Sequence, residues 1–264
     1  MDKNAQTALI TGASSGIGYE LAKIFAREGY NLVLVARGET ALQKLADELK
    51  QKYSTTVTVI AKDLSQADAP QAVADQLAGA GLTVEVLVNN AGFADYGLFA
   101  ESDLSKQLEM IQLNIVTLTH LTRLLLPAML QRKSGKILNL ASTAAFQPGP
   151  LMSVYYATKA YVLSFSEALA NEVKAGGVTV TALCPGATES GFQQRAAMED
   201  SKLVKGRKMP TSAHVAEAGY KALMQGKTVF VPGLSNKALT WAVKLLPRRI
   251  MPGLVRSAQE RSGH

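Results

Sequence analysis

Cysteine is almost missing from this 264-residue chain: Cys184 stands alone. It has no second thiol within the chain to pair with, and a reducing, cytoplasmic setting is the default expectation. Histidine is scarce too, with only His120, His214 and His264, and no metal site is expected from so few ligands. Aromatic residues make up 6% of the chain, yet 47% is apolar and 19% charged, proportions of an ordinary globular protein with a sizeable core and not of a disordered or collagen-like one. No run approaches eighteen consecutive apolar residues, and the best stretch, 118–130, is interrupted by His120 and Arg123. The opening residues show no basic leader followed by an apolar segment.

Acidic residues are thin in the last quarter. Residues 202–264 hold twelve Lys and Arg against Glu217 and Glu260, so they carry +10 of a net charge of +7 and leave −3 on everything before them. Such a segment suits phosphate-rich or acidic partners, but its charges, including Lys202, Lys205, Arg207 and Lys208, are spread out as on a solvated face. No aromatic residues interleave with them in a nucleic-acid recognition pattern, so no nucleic-acid partner is expected.

Short Val-, Ile- and Leu-rich runs alternate with helical periodicity along the whole chain. Strands are expected at 6–11, 31–36, 56–61, 84–89, 136–141, 178–184 and 228–231, with helices at 17–28, 39–52, 66–77, about 104–132, 154–174 and 212–225. Strands with so few polar interruptions are covered on both faces, and regular βα alternation predicts a single α/β domain over 1–264: one doubly wound, Rossmann-type parallel sheet of about seven strands. Two segments stand apart from this pattern. Residues 187–211 lack periodicity, as a binding loop would, and the basic extension from about 235 to 264 reads as a pair of short amphipathic helices.

Between the first strand and first helix lies Thr11-Gly12-Ala13-Ser14-Ser15-Gly16-Ile17-Gly18. Glycines there let the backbone turn sharply and approach a pyrophosphate held at the helix N-terminus. The same residues also fit Gly-x-Ser-x-Gly, the nucleophile elbow of serine hydrolases, for which one of the three histidines would have to serve as base.

Further along come Asn89-Asn90-Ala91-Gly92 after the fourth strand, Asn114 in the long helix and Ser142 after the fifth strand. Tyr155 and Lys159 follow one helical turn apart, and Pro185-Gly186 stands after the sixth strand. Taken with the glycine turn, these residues resemble the short-chain dehydrogenase/reductase family, over nearly the whole chain. The resemblance implies a catalytic set of Asn114, Ser142, Tyr155 and Lys159. Reduction of a carbonyl leaves charge on oxygen, so the site needs a proton donor, Tyr155, and an orienting hydrogen bond, from Ser142; a nearby ammonium at Lys159 is expected to lower the phenol's pKa. By the same resemblance Lys159 also binds the nicotinamide ribose, and Asn114 holds a water that relays protons. The cofactor is then held by Gly12, Ser14, Ser15, Gly16, Ile17, Gly18, Asp63, Asn90, Pro185, Gly186 and Thr188.

Ala36, eighteen residues past Gly18, stands where a carboxylate would accept ribose hydroxyls, and Arg37 follows it. An uncharged side chain next to a guanidinium predicts NADP(H). Phe93, Phe146, Met152 and Phe192 are expected at the substrate mouth and suit an apolar ketone, aldehyde or 3-oxoacyl group, or the corresponding alcohol. Family members pair through the helices that hold Asn114 and Tyr155, so a homodimer or homotetramer is expected. The basic C-terminal extension has two open readings, a subunit contact or pocket cover and a peripheral membrane contact. Beside the reductase stands a non-catalytic NADP-binding regulator on the same fold.

Overall fold

The computed structural model describes residues 6–196, 198, 200–202, 206 and 208–260. Lys205, Arg207 and Arg261, counted above in the basic segment, and His264 lie outside the described residues. Seven strands form one parallel sheet: β1 (Thr7–Thr11), β2 (Asn31–Ala36), β3 (Val57–Ala61), β4 (Val86–Asn89), β5 (Gly135–Leu140), β6 (Val178–Leu183) and β7 (Val229–Phe230). Their order is β3-β2-β1-β4-β5-β6-β7. The direction of winding therefore reverses between β1 and β4, and a crevice opens there at the strands' carboxyl ends.

The helices are α1 (Gly16–Arg27), α2 (Glu39–Tyr53), α3 (Ala69–Gly79), α4 (Leu104–Ile111), α5 (Leu118–Gln131), α6 (Ser153–Val173), α7 (Phe192–Arg195), α8 (Ser212–Met224), α9 (Leu234–Leu245) and α10 (Met251–Gln259). Successive strand residues face opposite sides, and the core divides accordingly. Ile10 and Leu34 pack with Phe25 of α1, Leu42, Leu45 and Leu49 of α2 and Tyr220 of α8. Leu9, Val33 and Val35 pack with Val73 of α3, Leu121 of α5 and Leu169 of α6. Each such large side chain, fully removed from water, contributes about 1.5–3 kcal/mol relative to exposure.

The stretch expected as one long helix at about 104–132 is broken in its middle. A π-helical turn, Gln112–Thr117, joins α4 to α5. Taken as one run, Leu104–Gln131 is long and apolar enough by length and composition to cross a membrane, because mean hydropathy tolerates the polar residues that interrupt its apolar runs. Here it lies along the sheet and buries Met110, Leu118, Leu121 and Met129.

Candidate active site

A cleft of about 800 Å³ follows the carboxyl edge of the sheet. It runs from Lys62, Asp63 and Leu64 after β3, past Arg37 after β2 and the glycine turn after β1, to Ser142 after β5 and Pro185–Thr188 after β6. Of the residues expected to hold a cofactor, Gly12, Ser14, Ser15, Gly16, Ile17, Arg37, Asp63, Asn90, Tyr155, Lys159, Pro185, Gly186 and Thr188 all line it.

Backbone geometry builds the glycine turn. Gly12 and Gly16 have φ of +65° and +59°, values that disfavour any side chain. Gly12 N donates to Val35 O at 2.8 Å. Ser15, at the N-cap position of α1, makes no side-chain capping bond, and the amides of the first turn, where Gly16 and Ile17 line the cleft, have no intrahelical acceptors. Gly18 is not on the cleft wall. It is a packing residue: a β-carbon there would lie 2.4 Å from both Gly12 O and Asn90 Nδ2. Asn90 in turn ties β4 to β1, donating from Nδ2 to Thr11 O at 2.9 Å and Gly12 O at 3.2 Å. Thr11 Oγ1 accepts from the amides of Asn90 and Ala91 at 2.9 and 3.0 Å and donates to Val88 O, so it closes the same clamp from the other side. Sequence reasoning read Thr11 only as part of the turn.

The catalytic candidates converge from three elements. Ser142 caps the 3₁₀ turn Thr143–Phe146, its Oγ accepting from Ala144 N at 3.1 Å and donating to Pro185 O at 3.4 Å. Tyr155 and Lys159 occupy one face of α6, and Lys159 Nζ lies 5.7 Å from the Tyr155 ring centroid and donates to Leu140 O at 2.6 Å. Burial pushes Lys159 down to about 8, so it still carries its proton at neutrality. The phenol departs from expectation. Burial drives the Tyr155 pKa well up, against a smaller pull from Ser142, and Lys159 is not among the groups that lower it.

Asn114 lies behind the cleft wall, 2% exposed, in the π turn. Its Nδ2 donates to Phe93 O at 3.0 Å and Thr158 Oγ1 at 3.1 Å, and its Oδ1 accepts from Phe93 N at 3.2 Å. A β-carbon on Gly92 would meet Asn114 Oδ1 at 2.8 Å and Lys159 Nζ at 3.7 Å, so both polar groups close on the same bare backbone. Deeper still, Asn89 donates to Thr122 Oγ1 and Asn139 Oδ1, and Asn139 to Ser166 Oγ, fastening α5 and α6 to β4 and β5.

Phe93, Met152 and Phe192 line the cleft as expected. Phe146 does not. Its ring turns into the apolar clusters beneath, with Lys244 Nζ 5.8 Å from its centroid. Among the lining residues that escaped sequence reasoning are Lys62, whose only signal is its place beside Asp63, Asp103, Lys106 and Glu109 around α4, and Leu239 of α9, whose helix joins the site only through the fold. The hydrolase reading finds no support in this geometry, since among the described residues no histidine lines the cleft.

Residues 6–201 match the family described as short chain dehydrogenase. The chain belongs to that family. Among the short chain dehydrogenase's relatives is the very-long-chain 3-oxoacyl-CoA reductase of Bos taurus, 36% identical over 183 residues, or 67% of this chain. The match takes in 58% of that enzyme, and the chain spans only about three fifths of the length of such curated relatives. Solved structures extend the likeness to the full chain. A short-chain dehydrogenase from Sphingobium yanoikuyae in complex with NADPH has 31% identity and a TM-score of 0.81, covering 98% of both chains. The bulky-bulky ketone specific alcohol dehydrogenase of Comamonas testosteroni has 29% identity and a TM-score of 0.78, covering 99% of this chain and 98% of its own.

Proposed function

We propose that this short chain dehydrogenase is an NADP(H)-dependent oxidoreductase that interconverts an apolar ketone, aldehyde or 3-oxoacyl group with the corresponding alcohol, Tyr155 exchanging the proton. The observation that carries the reading is the placing of Ser142, Tyr155 and Lys159 together on the wall of the cleft that also holds the glycine turn and Arg37. A dinucleotide fits the residues present. The α1 amides would take its pyrophosphate, Arg37 a 2′-phosphate, Asp63 the adenine end and Lys159 the ribose hydroxyls. When bound, the nicotinamide supplies or accepts the hydride.

The chain's own residues do the rest. Ser142 and Tyr155 would both donate to the substrate oxygen, stabilising the charge that grows there, and Tyr155 gives up its proton to it. A phenol held above its ordinary pKa by burial carries that proton at neutrality, as a proton donor must. Lys159, charged below about pH 8, would hold the ribose hydroxyls beside that phenol. Asn114 is the positioning residue that fixes Phe93 and Thr158 around this pair. Phe93, Met152, Phe192 and Met198 give the substrate end an apolar wall, and the 3-oxoacyl and bulky ketone substrates named for the relatives support that class.

The reading carries with it a cytoplasmic setting and a homodimer or homotetramer, for which exposed Leu104, Leu108, Val116 and Tyr161 on α4, the π turn and α6 offer an apolar surface. NADPH oxidation followed against apolar ketones, aldehydes and 3-oxoacyl thioesters tests the chemistry. Tyr155→Phe should keep its fold and NADPH affinity while kcat falls by about a hundredfold or more. Turnover that survives the substitution removes Tyr155 from the reaction, and NADPH binding with no turnover on any substrate returns the protein to the regulator reading.

A further inference from the structure

The helix α9 carries apolar residues on two opposite faces. Thr240 and Val243 are buried against the body, with Asn236 beside them. On the other side Leu234, Ala238, Trp241 and Leu245 recur at intervals of four, three and four, which places them in one stripe. That stripe is bare: Leu234 is 85% exposed and Trp241 and Leu245 are each 67% exposed. Lys237 and Lys244, seven residues apart, follow one flank of it. Past Pro247 the surface continues with exposed Ile250 and Leu254 and with Arg248, Arg249 and Arg256. Residues 233–260 hold five basic side chains and one acid, Glu260, which is paired with Arg256 and Lys202 at 3.7 and 3.8 Å.

The inner sides of the same helices belong to the cleft. Leu239 lies on its rim, and Val243, Met251 and Val255 pack in one cluster with Met152 and Tyr155. Gln259, at the end of α10, donates to the Tyr156 hydroxyl and accepts at its carbonyl from Tyr96 and Ser201 at 2.8 and 2.9 Å, which fixes the pair to α6.

We propose that the outer face of α9 and α10 docks on an anionic lipid bilayer, with the cleft rim at the lipid surface and Leu239 at the point of entry. Charge selects this occupant. A second copy in a two-fold contact would set five cations against five, whereas lipid phosphates neutralise them while Trp241, Leu234 and Leu245 enter the acyl boundary. Delivery of substrate from the bilayer rests on the apolar-substrate reading above; the docking itself does not.

Trp241 is the chain's only tryptophan, so the intact protein reports on its own surface. On titration with vesicles of phosphatidylcholine mixed with phosphatidylglycerol, its emission should shift to the blue and become quenchable by brominated lipid, with little response to phosphatidylcholine alone. Leu234→Ser with Leu245→Ser, or Lys237→Glu with Lys244→Glu, should weaken co-sedimentation by about tenfold or more while the thermal transition and NADPH affinity stay unchanged. Neither readout needs turnover, so a failed reductase reading leaves the test standing. Emission that ignores anionic vesicles overturns the proposal, and emission that shifts instead with protein concentration as a dimer forms assigns the face to a second copy.

Discussion

The two ends of the cleft are built by different means. At the glycine turn the wall is backbone: Gly12, Gly16, the α1 amides and the Asn90–Thr11 clamp, all within a few residues of the β1 and β4 ends. At the substrate end the wall is side chain, with Phe93, Met152, Phe192, Met198 and Leu239 drawn from five separated segments. A backbone wall tolerates little substitution, because a β-carbon at Gly12 would meet Asn90 Nδ2 at 2.8 Å and Gly16 holds a positive φ that disfavours any side chain. An apolar wall can be refilled by other side chains of similar volume. The first end therefore fixes what is bound by shape, and the second can change substrate without disturbing the first.

Three substitutions would sharpen or break this contrast. Gly18→Ala is expected to have the largest effect. The added carbon meets Gly12 O and Asn90 Nδ2, both already clamped, and should cost about 1–3 kcal/mol, seen as a thermal midpoint lower by several degrees. An unchanged midpoint would mean the clamp yields. Arg37→Ala comes next: the Kd for NADPH should rise by about tenfold while that for NADH moves little, since only the phosphate loses a charged partner. Equal changes in both would remove Arg37 from cofactor choice. Leu239→Ala should do least, raising KM for an apolar substrate by about fivefold or less and leaving the NADPH Kd alone, because the side chain is already 51% exposed on the rim. A matching loss of NADPH affinity would show the two ends to be coupled.

The same division explains what could be read before the fold was seen. Strand ends are local, so Gly12, Asn89, Ser142 and Pro185 could be assigned to one edge of a sheet from alternation and spacing, and a doubly wound parallel sheet followed from the βα repeat, though the order of its strands did not. Phe146 was misplaced because nothing local says which way a ring turns after a 3₁₀ turn, and here Lys244, ninety-eight residues on, lies over it. Gly18 was counted with the ligand-facing glycines, although its missing side chain serves the packing of α1 against the turn. The direction of the Tyr155 pKa was misjudged for a related reason. Spacing places Lys159 next to it but does not reveal that burial dominates.

The π turn at Gln112–Thr117 has a consequence for chain length. A regular helix advances about 100° per residue, so the extra residue that a π turn accommodates offsets α4 from α5 by roughly that angle. Asn114 can face Phe93 and Thr158 while Leu118 and Leu121 still face the sheet because the two requirements are met on either side of this offset. Removing one residue from the turn would give a smoother helix with every side chain chemistry retained, and it would still turn either the asparagine or the core stripe away from its partner. At this point the site depends on a count of residues as much as on their identity.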